Sequence, residues 1–215
     1  MNPADATGAG RPTVFVVDDD EPMREALEQY LESAGFTTLC FADGPTFLAA
    51  VDDGAAGCAL LDVAMPGMSG HEVHSALKAR EVGLTVMFLT GHGDVPGAVN
   101  AVRNGAVDFL EKPVRAQDLL EAVTKALEVD EVRRQARAYA EDVRHRYGRL
   151  SPREREIMVL VVDGLTNKEI ARSLGLSPRT VEAHRTHVMN KMAADGLTDL
   201  VRMAACCRAA EPPPA

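Results

Sequence analysis

The stretch that decides the fold is Cys58-Ala59-Leu60-Leu61-Asp62-Val63-Ala64-Met65-Pro66. An apolar run passes straight into a single carboxylate, and a turn signal with Gly67 and Gly70 follows. A short continuous apolar run closed by a turn reads as a strand buried on both faces of a parallel sheet. Asp62 then stands at the carboxyl end of a central strand, the edge of an open α/β sheet where ligands bind. Taken alone, the same carboxylate serves equally well as a cap on the next turn.

The flanking sequence repeats the pattern. Thr13–Val17 is a second buried run, ending in Asp18-Asp19-Asp20. Met23, Leu27, Tyr30 and Leu31 then recur at helical spacing before Gly35. Further strands are expected over Phe36–Phe41, Leu84–Leu89 and Val107–Leu110. The helices between them are expected near Phe47–Val51, Gly70–Arg80 and residues 95–104, and a further helix begins near Ala116. Five strand–helix repeats predict a doubly wound five-stranded parallel sheet with helices on both faces. The strand ends then collect Asp18, Asp19, Asp62, Thr90 and Lys112 on one edge.

Composition sets limits. The 215 residues are 46% apolar and 26% charged, as in globular proteins, with room for two small domains. No apolar run reaches the roughly 18–20 residues a membrane-spanning helix needs. Residues 1–11 read as a disordered leader without secretory character, and residues 211–215 as a disordered tail, so a cytoplasmic location is expected. Cys40, Cys58, Cys206 and Cys207 have no CxxC spacing and read as small buried hydrophobes, a redox role for the last pair being the alternative. Charge is uneven. Residues 1–148 carry 13 Lys and Arg against 24 Asp and Glu, whereas residues 149–208 carry 10 against 7. An anionic partner such as nucleic acid suits only the second part.

Carboxylates about 4 Å apart repel by about 4 kcal/mol per pair at an effective dielectric near 20. Three on one edge are splayed and solvated, or share a proton, or hold a hard divalent cation such as Mg²⁺. Lys112 adds a positive charge and Thr90 a hydroxyl donor. Such a set can hold phosphoryl oxygens, with a carboxylate as nucleophile forming an acyl phosphate. In combination, DDD, LLDVAMPGMSG, Thr90 and Glu111-Lys112-Pro113 resemble the receiver domain of two-component response regulators, with its flavodoxin-like sheet, over about residues 12–127. The resemblance implies Asp62 as phosphoacceptor. It also implies Mg²⁺ held by Asp18, Asp19, Asp62 and the Ala64 carbonyl, and phosphoryl oxygens held by Thr90 and Lys112. A cis Lys112–Pro113 bond and Phe109 at the position of an aromatic switch are implied as well. No enzyme is implied beyond the domain's own phosphorylation and dephosphorylation.

From Gln117 to His145 there is no Pro or Gly. Val129, Val132, Ala136, Tyr139 and Val143 step by threes and fours, while charges including Asp130 fill most other positions. Residues 128–147 read as a helical linker. It either lies on its own domain, pairs with a second copy as a short coiled coil, or moves freely.

Beyond it, Ser151-Pro152 and Ser177-Pro178 each give a cap followed by proline, and Gly175 makes a turn between two short helical runs. A four-helix domain over residues 148–210 is expected, with a helix-turn-helix at its centre. Ile157, Val159, Leu160 and Val161 are expected on the apolar side of its first helix. On the third helix Val181, Val188 and Met192 face inward, while Arg179, Glu182, Ala183, Thr186 and Asn190 face outward, as a major-groove reader requires. Lys168, Arg172, Thr180 and Lys191 suit phosphates. A helical bundle that binds protein fits the spacing too.

The wording from Leu150 to Met192 resembles the LuxR-type helix-turn-helix, and receiver plus this module is the NarL/FixJ arrangement. The resemblance implies a phosphorylation-dependent transcriptional regulator, most relatives being activators. A sensor histidine kinase, promoter DNA with an inverted repeat, RNA polymerase and a second copy of the chain are its implied partners. Pairing would use Leu200, Val201 and Ala204 with the linker residues Val132, Ala136, Tyr139 and Val143. Rival readings are a promoter-contacting subunit similar to sigma region four and a phosphorelay intermediate with a decayed DNA surface.

Overall fold

The computed structural model describes residues 12–91 and 108–208. The expected helix over 95–104, the start of the fifth strand at Val107, and both terminal segments lie outside the described residues.

The sheet has five strands: β1 (Thr13–Val17), β2 (Thr37–Phe41), β3 (Gly57–Asp62), β4 (Thr85–Thr90) and β5 (Asp108–Glu111). All pair in parallel, in the order β2-β1-β3-β4-β5. Every residue of β1, β3 and β4 is buried, because side chains alternate between two covered faces. Phe15, Val17, Ala59, Leu61, Val86 and Phe88 pack on one face with Phe47, Val73 and Leu77. Those last three come from α2 (Gly44–Ala50) and α3 (Gly70–Ala79). Val14, Val16, Cys58, Leu60, Met87 and Leu89 pack on the other with Leu27, Leu31, Leu119 and Val123. These belong to α1 (Glu21–Ser33) and to the first part of α4 (Ala116–Gly148). The doubly wound sheet is therefore present as expected.

Helix starts follow local chemistry. Asp43 accepts from the Thr46 N–H at the head of α2. Ser69 and Glu72 form a reciprocal capping box at the head of α3. Gly70 is required for a different reason: a Cβ there would lie 2.4 Å from the carbonyl oxygen of Asp62. The close approach seats α3 directly against the end of β3.

Helix α4 runs unbroken for 33 residues. The chain nonetheless divides into two compact units, residues 1–134 and 135–215, so the linker segment is shared between them. Asp130, one of the charges between the apolar steps of the linker, is fully buried. It accepts from the Gly57 N–H at 3.0 Å and from Arg134 Nε at 2.8 Å, tying the helix to the first residue of β3.

The second unit holds the end of α4 with α5 (Pro152–Val162), α6 (Asn167–Leu174), α7 (Pro178–Met192) and α8 (Leu197–Arg208). Capping boxes at Ser151/Glu154 and Thr166/Glu169 open α5 and α6, and Ser177 caps α7. Gly175 ends α6 at φ 66°, a left-handed turn that glycine adopts without strain. Ile157, Met158, Val161, Ile170, Val181, Val188 and Met192 form the core. Met158, not Val159, faces inward; Val159 is 42% exposed.

The same core corrects the expected pairing surface. Val143 and Leu200 are 0% and 1% exposed and belong to this unit's own interior, as does Ala204. Tyr139 is half-buried against it, under the guanidinium of Arg202. Val143, Leu200 and Ala204 thus place their apolar surface inside the unit, and Tyr139 does so in part. Val132, Ala136 and Val201 remain exposed.

Candidate functional site

Two places gather the functional side chains, one in each unit. In the first, the chain leaves β1 at Asp18 and ends β3 at Asp62, on adjacent strands. Asp18 is fully buried, Asp62 nearly so, and Asp19 is exposed. One carboxylate oxygen from each lies within 4.8 Å of the others. Lys112, just past β5, donates from Nζ to Asp18 Oδ2 at 2.6 Å and reaches Asp62 Oδ1 at 3.2 Å. Its own N–H donates to the carbonyl of Thr90 at 2.7 Å, and Thr90 is buried at the end of β4. The edge thus brings together Asp18, Asp19, Asp62, Thr90 and Lys112. The Lys112–Pro113 bond is cis.

Further groups hold the acids in place. The Asp20 N–H donates to Asp18 Oδ1 at 2.9 Å, and Arg24 donates to the Asp18 carbonyl at 2.6 Å. Arg24 was not singled out from the sequence, where it is one charge on an amphipathic helix. Burial pushes the Asp62 carboxyl above its ordinary pKa. The Lys112 hydrogen bond and charge oppose this, Asp18 adds to it, and the Ala64 N–H pulls it down. For Lys112 desolvation works against the ammonium, yet its hydrogen bonds and the charges of Asp18 and Asp62 hold its pKa above normal. Phe109 projects from β5 with 44% of its surface exposed.

The donors at this edge are all carboxylate oxygens, two of them buried and converging with the third. That set fits a hard cation such as Mg²⁺, which prefers oxygen and keeps several waters. Lys112 already neutralises part of the charge. Chemically, the edge offers a nucleophilic oxygen on Asp62 beside an ammonium.

In the second unit, α7 exposes Arg179, Thr180, Glu182, Ala183, Thr186 and Asn190 on one side, while Val181, Val188 and Met192 are buried. Lys168 and Arg172 of α6 are exposed as well. Arg185 donates to Asn167 Oδ1 at 2.9 Å, joining α7 to the head of α6. Lys191 is half-buried, and its Nζ donates to Glu154 Oε2 at 2.7 Å. Glu154 is 4% exposed, and this ammonium and the Ser151 cap hold its carboxyl down to about 2. The cap was visible in the sequence; the partner 37 residues away was not.

Comparison with known proteins matches both units. The family model for the response regulator receiver domain covers residues 14–124, and that for bacterial regulatory proteins of the luxR family covers residues 149–204. The transcriptional regulatory protein FixJ of Bradyrhizobium diazoefficiens is 44% identical over 191 residues, spanning 89% of this chain and 93% of its own. FixJ of Azorhizobium caulinodans is 46% identical over 195 residues, spanning 89% and 90%. Among solved structures, the response regulator StyR is 41% identical with a TM-score of 0.80, covering 91% of this chain and 99% of its own.

Proposed function

This chain belongs to the two-component response regulators of the NarL/FixJ family, a receiver joined to a LuxR-type DNA-binding domain, and from that premise we propose how its own residues carry the signal. The protein is a transcriptional regulator. Asp62 receives the phosphoryl group from a sensor histidine kinase: a carboxylate oxygen attacks phosphorus, the bond to the donor nitrogen breaks, and an acyl phosphate remains on Asp62. Lys112 and the hydroxyl of Thr90 hold the phosphoryl oxygens. Asp18, Asp19, Asp62 and the Ala64 carbonyl would hold Mg²⁺, which when bound supplies positive charge against the accumulating oxygens. Phe109 follows Thr90 by repacking. No further catalysis is assigned; the chain is a receiver of phosphate and not an enzyme for other substrates.

The observation that carries this reading is Lys112 Nζ bridging Asp18 and Asp62 at 2.6 and 3.2 Å. An ammonium placed there pairs with the nucleophile and with the acid beside it, while the Asp20 and Ala64 N–H groups fix the two carboxylates from the backbone side. Phosphorylation replaces the single carboxylate charge of Asp62 with a phosphoryl group carrying about one and a half to two, and its oxygens offer Thr90 and Lys112 new acceptors. DNA is then read by Arg179, Glu182, Ala183 and Thr186 in the major groove, with Lys168 and Thr180 on phosphates. Two copies bind an inverted repeat and contact RNA polymerase to activate transcription. Among the described residues no helix is long and apolar enough to cross a membrane, and a cytoplasmic site of action is proposed.

Labelling with a small acyl phosphate and Mg²⁺ tests the first step. Wild type takes up one phosphoryl group and Asp62→Asn takes up none; full labelling of the variant would move the acceptor elsewhere. Selection from a random DNA pool, with and without the phosphodonor, tests the second. Enrichment of a palindrome that is independent of the phosphodonor would separate DNA binding from the receiver.

A further inference from the structure

Glu154 has a second neighbourhood besides Lys191. Its Oε2 takes both the Lys191 ammonium and the Ser151 N–H, each at 2.7 Å. Its Oε1 faces His187 Nδ1 at 4.0 Å. His184 stands one turn back on the same helix, its ring perpendicular to that of His187 with centroids 6.5 Å apart. One ligand atom from each of Glu154, His184 and His187 falls within 4.8 Å of the others. His184 Nδ1 is sealed from solvent and has no hydrogen-bond partner, a deficit folded proteins rarely leave.

We propose that Glu154, His184 and His187 form a binding site for a divalent transition-metal ion, zinc being the best fit, on the flank of the recognition helix. Two imidazoles and one carboxylate make a three-ligand set with an open fourth position. Imidazole nitrogen selects zinc, nickel, copper or cobalt over magnesium, so this site and the acidic edge of the receiver take different ions. Tetrahedral coordination at about 2.0–2.1 Å requires ligand atoms about 3.4 Å apart. The 4.0 Å gap between His187 Nδ1 and Glu154 Oε1 can shorten by rotation of His187, whose side chain is 62% exposed. Residues 184 and 187 are three apart and so share one face of the helix. Glu154 is buried and capped, a fixed anchor. Lys191 keeps its own oxygen of Glu154, and its charge moderates the affinity without occupying the site. Occupation would pin His187, beside Ala183 and Thr186, to the start of α5.

The site stands independently of the phosphorylation reading, and so does its test. Full-length protein is freed of metal with chelator, saturated with Mg²⁺ to fill the receiver edge, and titrated with Co²⁺ followed by visible absorption, then with Zn²⁺ in calorimetry. One ion per chain is expected, with ligand-field bands of a four- or five-coordinate centre. His187→Gln, at an exposed position that leaves the fold intact, weakens binding by about tenfold or more, and His184→Gln does the same. The Cys206→Ser/Cys207→Ser variant binds like wild type. No saturable binding, or unchanged affinity in His187→Gln, overturns the proposal. Intense near-ultraviolet charge transfer that disappears in the cysteine variant would assign the ion to thiolates and overturns it equally.

Discussion

Glu154 is a buried acid held by a specific donor set, and that burial has a measurable consequence. Glu154 has its carboxyl depressed from 4.5 to about 2 by the Lys191 hydrogen bond and the Ser151 cap. A depressed pKa contributes stability that is complete above the unfolded value and fades as the pH falls toward the folded one. Acid unfolding of the second unit should therefore steepen between about pH 4.5 and 2, and Glu154→Gln should flatten that segment while costing about 1–3 kcal/mol at neutral pH. Urea midpoints across this pH range check both. At Gly70 the constraint is space. A Cβ 2.4 Å from the Asp62 carbonyl forces α3 or the end of β3 to move. Gly70→Ala should cost about 1–3 kcal/mol in urea and slow acyl-phosphate labelling, since the displaced backbone carries the nucleophile.

Helix α4 shows where sequence reading succeeds and where it stops. Its length and the absence of internal Pro or Gly make the helix itself legible, as strand ends rich in carboxylates make the acidic edge legible. Such signals are local: a buried apolar run and the polar residue that follows it are neighbours in the chain. The partners of α4 are not local. Asp130 is buried because the Gly57 N–H, 73 positions earlier, lies against it, and nothing in a charged helical stretch marks one acid among many. Val143 has the spacing of a pairing seam, but a seam and a core look alike in one sequence; only the surrounding α5 and α8 decide. Lys191 reads as a phosphate contact, and nothing in its own stretch of sequence announces the Glu154 carboxylate beside it. Val143→Ala should accordingly cost about 2–3 kcal/mol in the second unit by opening a cavity, whereas Val132→Ala, at 66% exposure, should stay within about 0.5 kcal/mol. Asp130→Ala should destabilise the first unit by about 1–3 kcal/mol by stranding the Gly57 N–H. Denaturant titration of each variant separates the three cases.

The whole molecule comprises two units with separate cores and opposite charge balance. Thermal unfolding should resolve two transitions, and Mg²⁺ should raise only the one assigned to residues 12–134, since a ligand stabilises only what it binds. Coincident transitions that shift together would contradict this independence. DNA affinity should fall steeply with salt, and Arg179→Ala should weaken it, while Asp62→Asn should leave the salt slope intact. Lys112 adds one more property at this scale. Because its ammonium rests on Asp18 and Asp62, the acidic edge carries a tethered counter-ion that no chelator can strip away. The receiver should thus stay folded in metal-free buffer, ready between stimuli, with the chain itself filling in until a soluble cation arrives.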